Sequence, residues 1–207
     1  MTTRSNDMAM CDSLGPQLTT PSRAAPADEL DVLLLSAGGP WGAFGVGFLD
    51  GWSGVTSPTA LQRPVFDIAI GISTGAMMVT HAFLGSDYDD VLRQQVANLT
   101  TEDVFRPRSA LSAMLGDAAT DTSPMRRRLE QTITEDTLDQ VADAWLNEGR
   151  RLAVIAVDLD CGNPETLDLT AVALQRDEAP HPAVVSLCLI PLIHLIHRCF
   201  NRGLVEL

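Results

Sequence analysis

Three short apolar runs divide the chain, and none of them alternates regularly with polar residues. They span Asp31 to Leu35, Val65 to Ile70 and Arg151 to Asp158. Continuous apolar runs of this length are typical of parallel strands that are buried on both faces. Segments with helical spacing separate the runs, so the order is strand, helix, strand, several helices, strand. This order predicts an α/β protein with a mostly parallel sheet that is covered on both faces.

The predicted helices have recognisable start and stop signals. The first, Ala43 to Trp52, is rich in small residues that suit close packing on a sheet, and glycines at 51 and 54 end it. A second helix follows the middle strand and runs to about Leu84. Ser123-Pro124 starts another, with serine as N-cap and proline at the first helical position. Thr134 caps one more helix, which Gly149 closes. Its apolar stripe comprises Leu138, Val141, Ala142 and Trp145.

Residues 1–29 are rich in Ser, Thr, Pro and Ala and have no apolar period. This composition predicts a disordered leader, followed by one domain over residues 30–207. The first ten residues lack the apolar region of a secretory signal. No run reaches the roughly 20 apolar residues that a transmembrane helix needs.

The net charge of -13 argues against a nucleic-acid partner, which requires a basic surface. It also argues against docking on anionic membrane by charge, so a transient contact with a membrane surface would have to be apolar.

The four cysteines show no CxxC spacing, which argues against a disulfide framework or a metal site. Scattered thiols favour a reducing compartment such as the cytoplasm. No cofactor motif is present.

The stretch from Val65 to Met78 has the pattern strand, G-x-S-x-G, helix, with Ser73 at the centre. A serine hydroxyl can attack an ester when it stands clear of its neighbours with a helix N-terminus behind it. Gly71 and Gly75 fit a turn in which backbone segments come close together. The backbone N–H of Thr74 can then help to hold an oxyanion. The alternative is a glycine-rich turn with a chance serine, and the flanking strand and helix favour the nucleophile elbow.

A glycine loop, residues 36–42, follows the first strand. It lacks the glycine spacing of a dinucleotide fingerprint and the lysine of a phosphate-binding loop, which disfavours a nucleotide-binding α/β protein. Two interpretations remain: a tight strand-to-helix turn, or an oxyanion loop formed by the N–H groups of Gly38 and Gly39. The elbow one βα unit later favours the oxyanion loop.

With both motifs in place, the chain resembles the patatin-like phospholipases, closest to their bacterial branch. The resemblance runs from about Leu30 to Ile190 and includes G-A-F-G after the loop and G-I-S-T-G-A at the elbow. It implies a three-layer α/β/α fold and hydrolysis of lipid acyl esters by a serine–aspartate dyad. Ser73 would be the nucleophile and the glycine loop the oxyanion hole.

The chain departs from the family pattern in two places. In the loop, Ala37 replaces the first glycine and Trp41 replaces an arginine, which adds apolar surface near the pocket mouth. The family's catalytic aspartate belongs to an Asp-Gly-Gly or Asp-Gly-Ala motif near the C-terminus. The Asp-Gly pair here, Asp50-Gly51, precedes the serine, and no aspartate follows Asp177. No catalytic aspartate is therefore assigned, and the change in composition over Ala183 to Ile196 suggests a fold cut short near residue 190.

Other residues are weaker candidates for the base. His81 lies eight helical residues beyond Ser73, roughly 12 Å away, which favours a structural role. His194 and His197 are three residues apart without a nearby carboxylate. Two functions therefore stay open: a serine acyl-ester hydrolase acting on lipids, or an inactive remnant or acyl-binding scaffold that lacks the dyad aspartate.

Overall fold

The computed structural model describes residues 30–96, 100, 106–107, 120–121, 123–158 and 163–174. The predicted leader and the apolar segment from Ala183 to Ile196 lie outside these residues. The described strands are β1 (Val32–Leu35), β2 (Ile68–Ile72), β3 (Arg106–Pro107), β4 (Thr120–Asp121), β5 (Arg151–Asp158) and β6 (Asn163–Asp168). The described helices are α1 (Gly42–Ser53), α2 (Thr74–Leu84), α3 (Asp89–Val96), α4 (Ser123–Thr132), α5 (Glu135–Asp143) and α6 (Leu169–Leu174).

Within the described residues, the main sheet has the strand order β1-β2-β5-β6. The pairs β1-β2 and β2-β5 are parallel, and β6 returns antiparallel to β5. The two-residue strands β3 and β4 form a separate antiparallel ladder. The predicted α/β class and the mostly parallel sheet are confirmed, and the three predicted strands are β1, β2 and β5.

The core lies on one face of this sheet, against α2. The parallel register aligns Leu33 with Ala69 and Leu152 across three strands, so these side chains point to the same face. Every residue of α2 from Thr74 to Phe83 is buried. This central position explains why the α2 sequence has no polar stripe. The described helices α1 to α6 all contribute to the two apolar clusters on this side.

The opposite face of the sheet is also apolar. Ile68, Ile70 and Ile72 of β2 are half-buried, while Val32 and Leu34 of the edge strand β1 are exposed. The helices that the structure describes pack on the α2 side. A second covering layer therefore stays a prediction of the sequence.

Two predicted helix boundaries are reproduced. Helix α4 begins at Ser123, and α5 follows Thr134, whose hydroxyl accepts the N–H of Thr137 in a capping box. A π-helical turn, Ala144–Glu148, continues α5 to Gly149, which adopts a left-handed φ of 74°.

Candidate active site

Ser73 occupies the sharp turn between β2 and α2. Its φ and ψ are 54° and -120°, and no other described residue except glycine has a positive φ. A serine in this region of backbone space costs on the order of 1–3 kcal/mol, and such residues cluster at functional sites. Although Ser73 is in the N-cap position, its side chain does not cap the helix. The hydroxyl is therefore not engaged in the local bond that an N-cap serine usually makes.

The two glycines of the elbow are required by close backbone contacts. A Cβ atom on Gly71 would lie 2.6 Å from the carbonyl oxygen of Gly75 and 2.7 Å from Cα of Ala76. A Cβ atom on Gly75 would lie 2.1 Å from the carbonyl oxygen of Leu35, at the end of β1. Each distance is far below van der Waals contact, so a side chain at either position would force the strands and α2 apart.

The glycine loop is held against the elbow at both of its ends. Leu35, which precedes it, lies against Gly75 as described above. Gly42, which follows it, lies so close to the elbow that a Cβ atom there would be 2.5 Å from Cγ2 of Thr74. The structure therefore brings the loop containing Gly38 and Gly39 to the same sheet edge as Ser73, where the parallel strands end.

Within the loop, Gly39 has a φ of 50°, which favours glycine, and begins a short 3-10 turn, Gly39–Trp41. The N–H of Trp41 donates to the carbonyl of Gly38 at 3.0 Å. Ala37 does not have a positive φ, so alanine replaces a glycine here without strain. Trp41, the last residue of this turn, is 79% exposed.

The N-terminus of α2 supplies positive potential behind the serine. The first N–H groups of a helix have no acceptor within the helix, and the helix dipole adds to their positive charge. The N–H of Ala76 donates a hydrogen bond to the carbonyl oxygen of Ser73 at 2.8 Å. The N–H of Thr74 precedes it in this first turn. This arrangement is suited to stabilise negative charge close to the Ser73 hydroxyl.

In the part of the chain that the structure describes, no carboxylate or imidazole is hydrogen-bonded to the Ser73 hydroxyl. His81 is a core residue: it is fully buried, and its Nε2 lies 3.1 Å from the carbonyl oxygen of Thr132. Burial lowers the pKa of His81, and the hydrogen bond to Thr132 opposes this shift. Asp50, at the far end of α1, pairs with Arg93 at 3.1 Å. His194 and His197 lie outside the described residues.

Asp158 is the last residue of β5, three positions after Ile155, which pairs with Ile72 next to the serine. Its backbone thus ends at the same sheet edge as the elbow.

The described residues contain no cluster of three or more His, Cys, Asp or Glu suited to a metal ion. None of the described helices is long and apolar enough to cross a membrane.

Sequence reasoning missed two buried arginines at the opposite end of α2. Arg63 donates to the carbonyl of Ala82 at 2.8 Å, and Arg150 donates to the carbonyl of Phe83. Both carbonyls belong to the last turn of α2, where cations stabilise the helix dipole. The arginines line a cleft of about 660 Å³, far along α2 from Ser73. A lone arginine in a loop gives no local signal for such a role.

One of the comparisons with known proteins identifies a family. A model of the family described as patatin-like phospholipase matches residues 33–187, which is more than half of the chain. The matched range begins at the second residue of β1 and includes the glycine loop, the elbow and strands β2, β5 and β6. No curated protein and no solved structure matches the chain significantly.

Proposed function

Since the chain belongs to the patatin-like phospholipase family of lipid acyl hydrolases, we propose that its site hydrolyses lipid acyl esters with Ser73 as nucleophile. The backbone conformation of Ser73, with a φ of 54° between a strand and a buried helix, is the observation that carries this proposal. A strained turn presents the hydroxyl at the strand end with the α2 N-terminus behind it.

In the proposed reaction, the Ser73 oxygen attacks the ester carbonyl carbon and its proton passes to a water molecule. The carbonyl oxygen becomes an oxyanion that the N–H groups of Gly38, Gly39 and Thr74 stabilise. Collapse of the tetrahedral intermediate expels the alcohol, which takes up a proton, and leaves an acyl group on Ser73. Water then attacks this acyl group, releases the fatty acid and restores the serine.

Labelling with a fluorophosphonate probe tests the proposal, because the probe reacts with activated serines and needs no knowledge of the substrate. The unaltered chain should be labelled, and Ser73→Ala should abolish the label. Ser86→Ala removes an exposed serine in the 3-10 turn that follows α2 and serves as the matched control. An unlabelled chain, or equal labelling of Ser73→Ala, would contradict the assignment of Ser73.

One observation favours a second candidate, an acyl-binding scaffold that has the elbow but no base. It is the lack of a carboxylate or imidazole hydrogen-bonded to the Ser73 hydroxyl within the described residues. General-base assistance is typically worth about 10²–10⁴-fold in rate. A scaffold of this kind should therefore hydrolyse p-nitrophenyl butyrate only slowly. A fast hydrolysis that Ser73→Ala abolishes would show that the serine has a base.

A further inference from the structure

The outward side of α1 is an exposed aromatic surface that begins at the glycine loop. Trp41, Phe44 and Phe48 are 79%, 75% and 57% exposed, and we refer to these three residues as the aromatic stripe. Their spacing of three and four residues places them on one side of the helix. The other exposed positions on this side are alanine or glycine, at 43, 47 and 51. The whole outward side of α1 therefore has no polar side chain.

The inward side of α1 is already occupied. Val46 and Leu49 are buried in the cluster that α1 forms with α2 and α3. The aromatic stripe therefore adds nothing to the described core. Three aromatic side chains at these exposures present roughly 400 Å² of apolar surface. A patch of this size on a protein surface commonly marks a binding site.

The aromatic stripe adjoins the candidate active site. The N–H of Trp41 donates to the carbonyl of Gly38, so the stripe starts within the proposed oxyanion loop. Gly42, the next residue, contacts Thr74 of the elbow. An apolar surface held against the stripe would thus lie next to the loop that receives the ester carbonyl.

Charge restricts what this surface can contact. Asp50 is the sole charged residue of α1, and it is half-buried and paired with Arg93. The chain carries a net charge of -13, which repels anionic headgroups and also a second copy of itself. Tryptophan and phenylalanine, in contrast, insert readily at a lipid–water interface. The chemistry of the surface therefore fits a lipid layer without net charge.

We propose that the aromatic stripe docks the chain on a lipid surface of zwitterionic or neutral headgroups, with the glycine loop facing the lipid. The purpose of docking rests on the proposed function, since it would deliver an ester to Ser73. The binding itself needs no catalysis and is tested separately.

Sedimentation with phosphatidylcholine vesicles tests the docking surface. The chain should bind these vesicles, and binding should persist between about 0.1 and 1 M sodium chloride because it is apolar. The double variant Phe44→Ser/Phe48→Ser should bind roughly tenfold or more weakly. The matched control is Val65→Ser/Leu146→Ser, which removes two apolar side chains outside α1 that are 68% and 63% exposed. Equal loss in both double variants, or none in the first, would overturn the proposal.

Quenching by brominated phosphatidylcholine locates the contact. Trp41 fluorescence should be quenched in brominated vesicles, and Trp41→Phe should bind but lose the part of the quenching that comes from this exposed ring; Trp52, whose ring centroid lies 5.6 Å from that of Phe48, is half-buried and keeps a smaller share. Ser73→Ala should bind like the unaltered chain, so failure of the serine assignment would leave the docking result intact. A chain that sediments as a dimer through this stripe and ignores vesicles would refute lipid docking.

Discussion

Gly75 lies against the carbonyl of Leu35, and a Cβ atom on this glycine would be 2.1 Å from the carbonyl oxygen. The first turn of α2 is thereby fixed on the end of β1, next to the start of the glycine loop. The contact joins the two motifs of the candidate site through backbone atoms alone. Neither residue can move without displacing the other motif.

We expect Gly75→Ala to destabilise the protein by about 1–3 kcal/mol or more, because backbone atoms must shift to admit the methyl group. Chemical denaturation measures this change. Gly51→Ala is the matched control, since Gly51 lies in α1 with no atom within 4 Å of its Cβ position. That substitution should stabilise the helix by about 0.5–1 kcal/mol. A neutral Gly75→Ala variant would show that the contact is looser than described.

The strain at Ser73 makes a second prediction. Ser73→Gly should be more stable than Ser73→Ala, because glycine adopts a φ of 54° freely while alanine keeps the strain. Ser73→Gly relieves backbone strain of about 1–3 kcal/mol. This gain exceeds the roughly 0.5–1 kcal/mol of stability that the flexibility of glycine in the unfolded chain costs. Urea titration of both inactive variants compares them without interference from catalysis. An alanine variant that is equally or more stable would contradict a strained elbow.

His81 should make stability depend on pH. Burial lowers its pKa in the folded chain below the ordinary value of 6.5, so the folded chain binds fewer protons than the unfolded chain in this range. Neutral His81 makes its full contribution to the free energy of unfolding above pH 6.5. This contribution is lost as the pH falls from 6.5 toward the lowered pKa. The slope for one group is at most about 1.4 kcal/mol per pH unit.

The test compares the free energy of unfolding of the unaltered chain and of His81→Gln between neutral and mildly acidic pH. The variant should lose part of the pH dependence, whatever its stability at neutral pH. The same pH dependence in both proteins would mean that His81 does not titrate as a buried core residue.

Arg63 should be important for stability although it is remote from Ser73. It pairs with Asp89 at 2.8 Å, and the two side chains are only 5% and 9% exposed. Arg63→Met would leave the Asp89 carboxylate buried without its partner, so we expect a loss of about 3–5 kcal/mol in thermal or chemical unfolding. Substitution of the exposed Arg127 by Met should change the stability little. Equally small losses of stability in the Arg63→Met and Arg127→Met variants would contradict a structural role for Arg63.

The parts of the structure that the sequence predicted are those with local signals. The strand before Ser73, the glycines at 71 and 75 and the Thr134 cap each follow from residues adjacent in the chain. Strand β6 was not predicted, because its sequence, NPETLD, lacks an apolar alternation and its pairing depends on β5. The arginine contacts at the end of α2 were missed for the same reason, since Arg150 meets Phe83 across 67 positions of the chain.

At the site, the sequence predicted the turn at Ser73 and the glycine loop but could not show how they are held together. The contacts of Gly75 with Leu35 and of Gly42 with Thr74 arise from the parallel pairing of β1 and β2. The aromatic stripe is also visible only in the fold. In the sequence, Phe44 and Phe48 are simply apolar positions of a helix, and the packing of Val46 and Leu49 decides which side faces outward.

The most direct test of the central claim is to trap the acyl group on the serine. The chain is mixed with p-nitrophenyl butyrate, quenched in acid and digested, and the peptides are analysed by mass spectrometry. We predict one butyryl group on the peptide that contains Ser73, and none on that peptide in Ser73→Ala. A chain that releases p-nitrophenol without any acylated Ser73, or that is acylated equally in both proteins at another residue, would contradict the account.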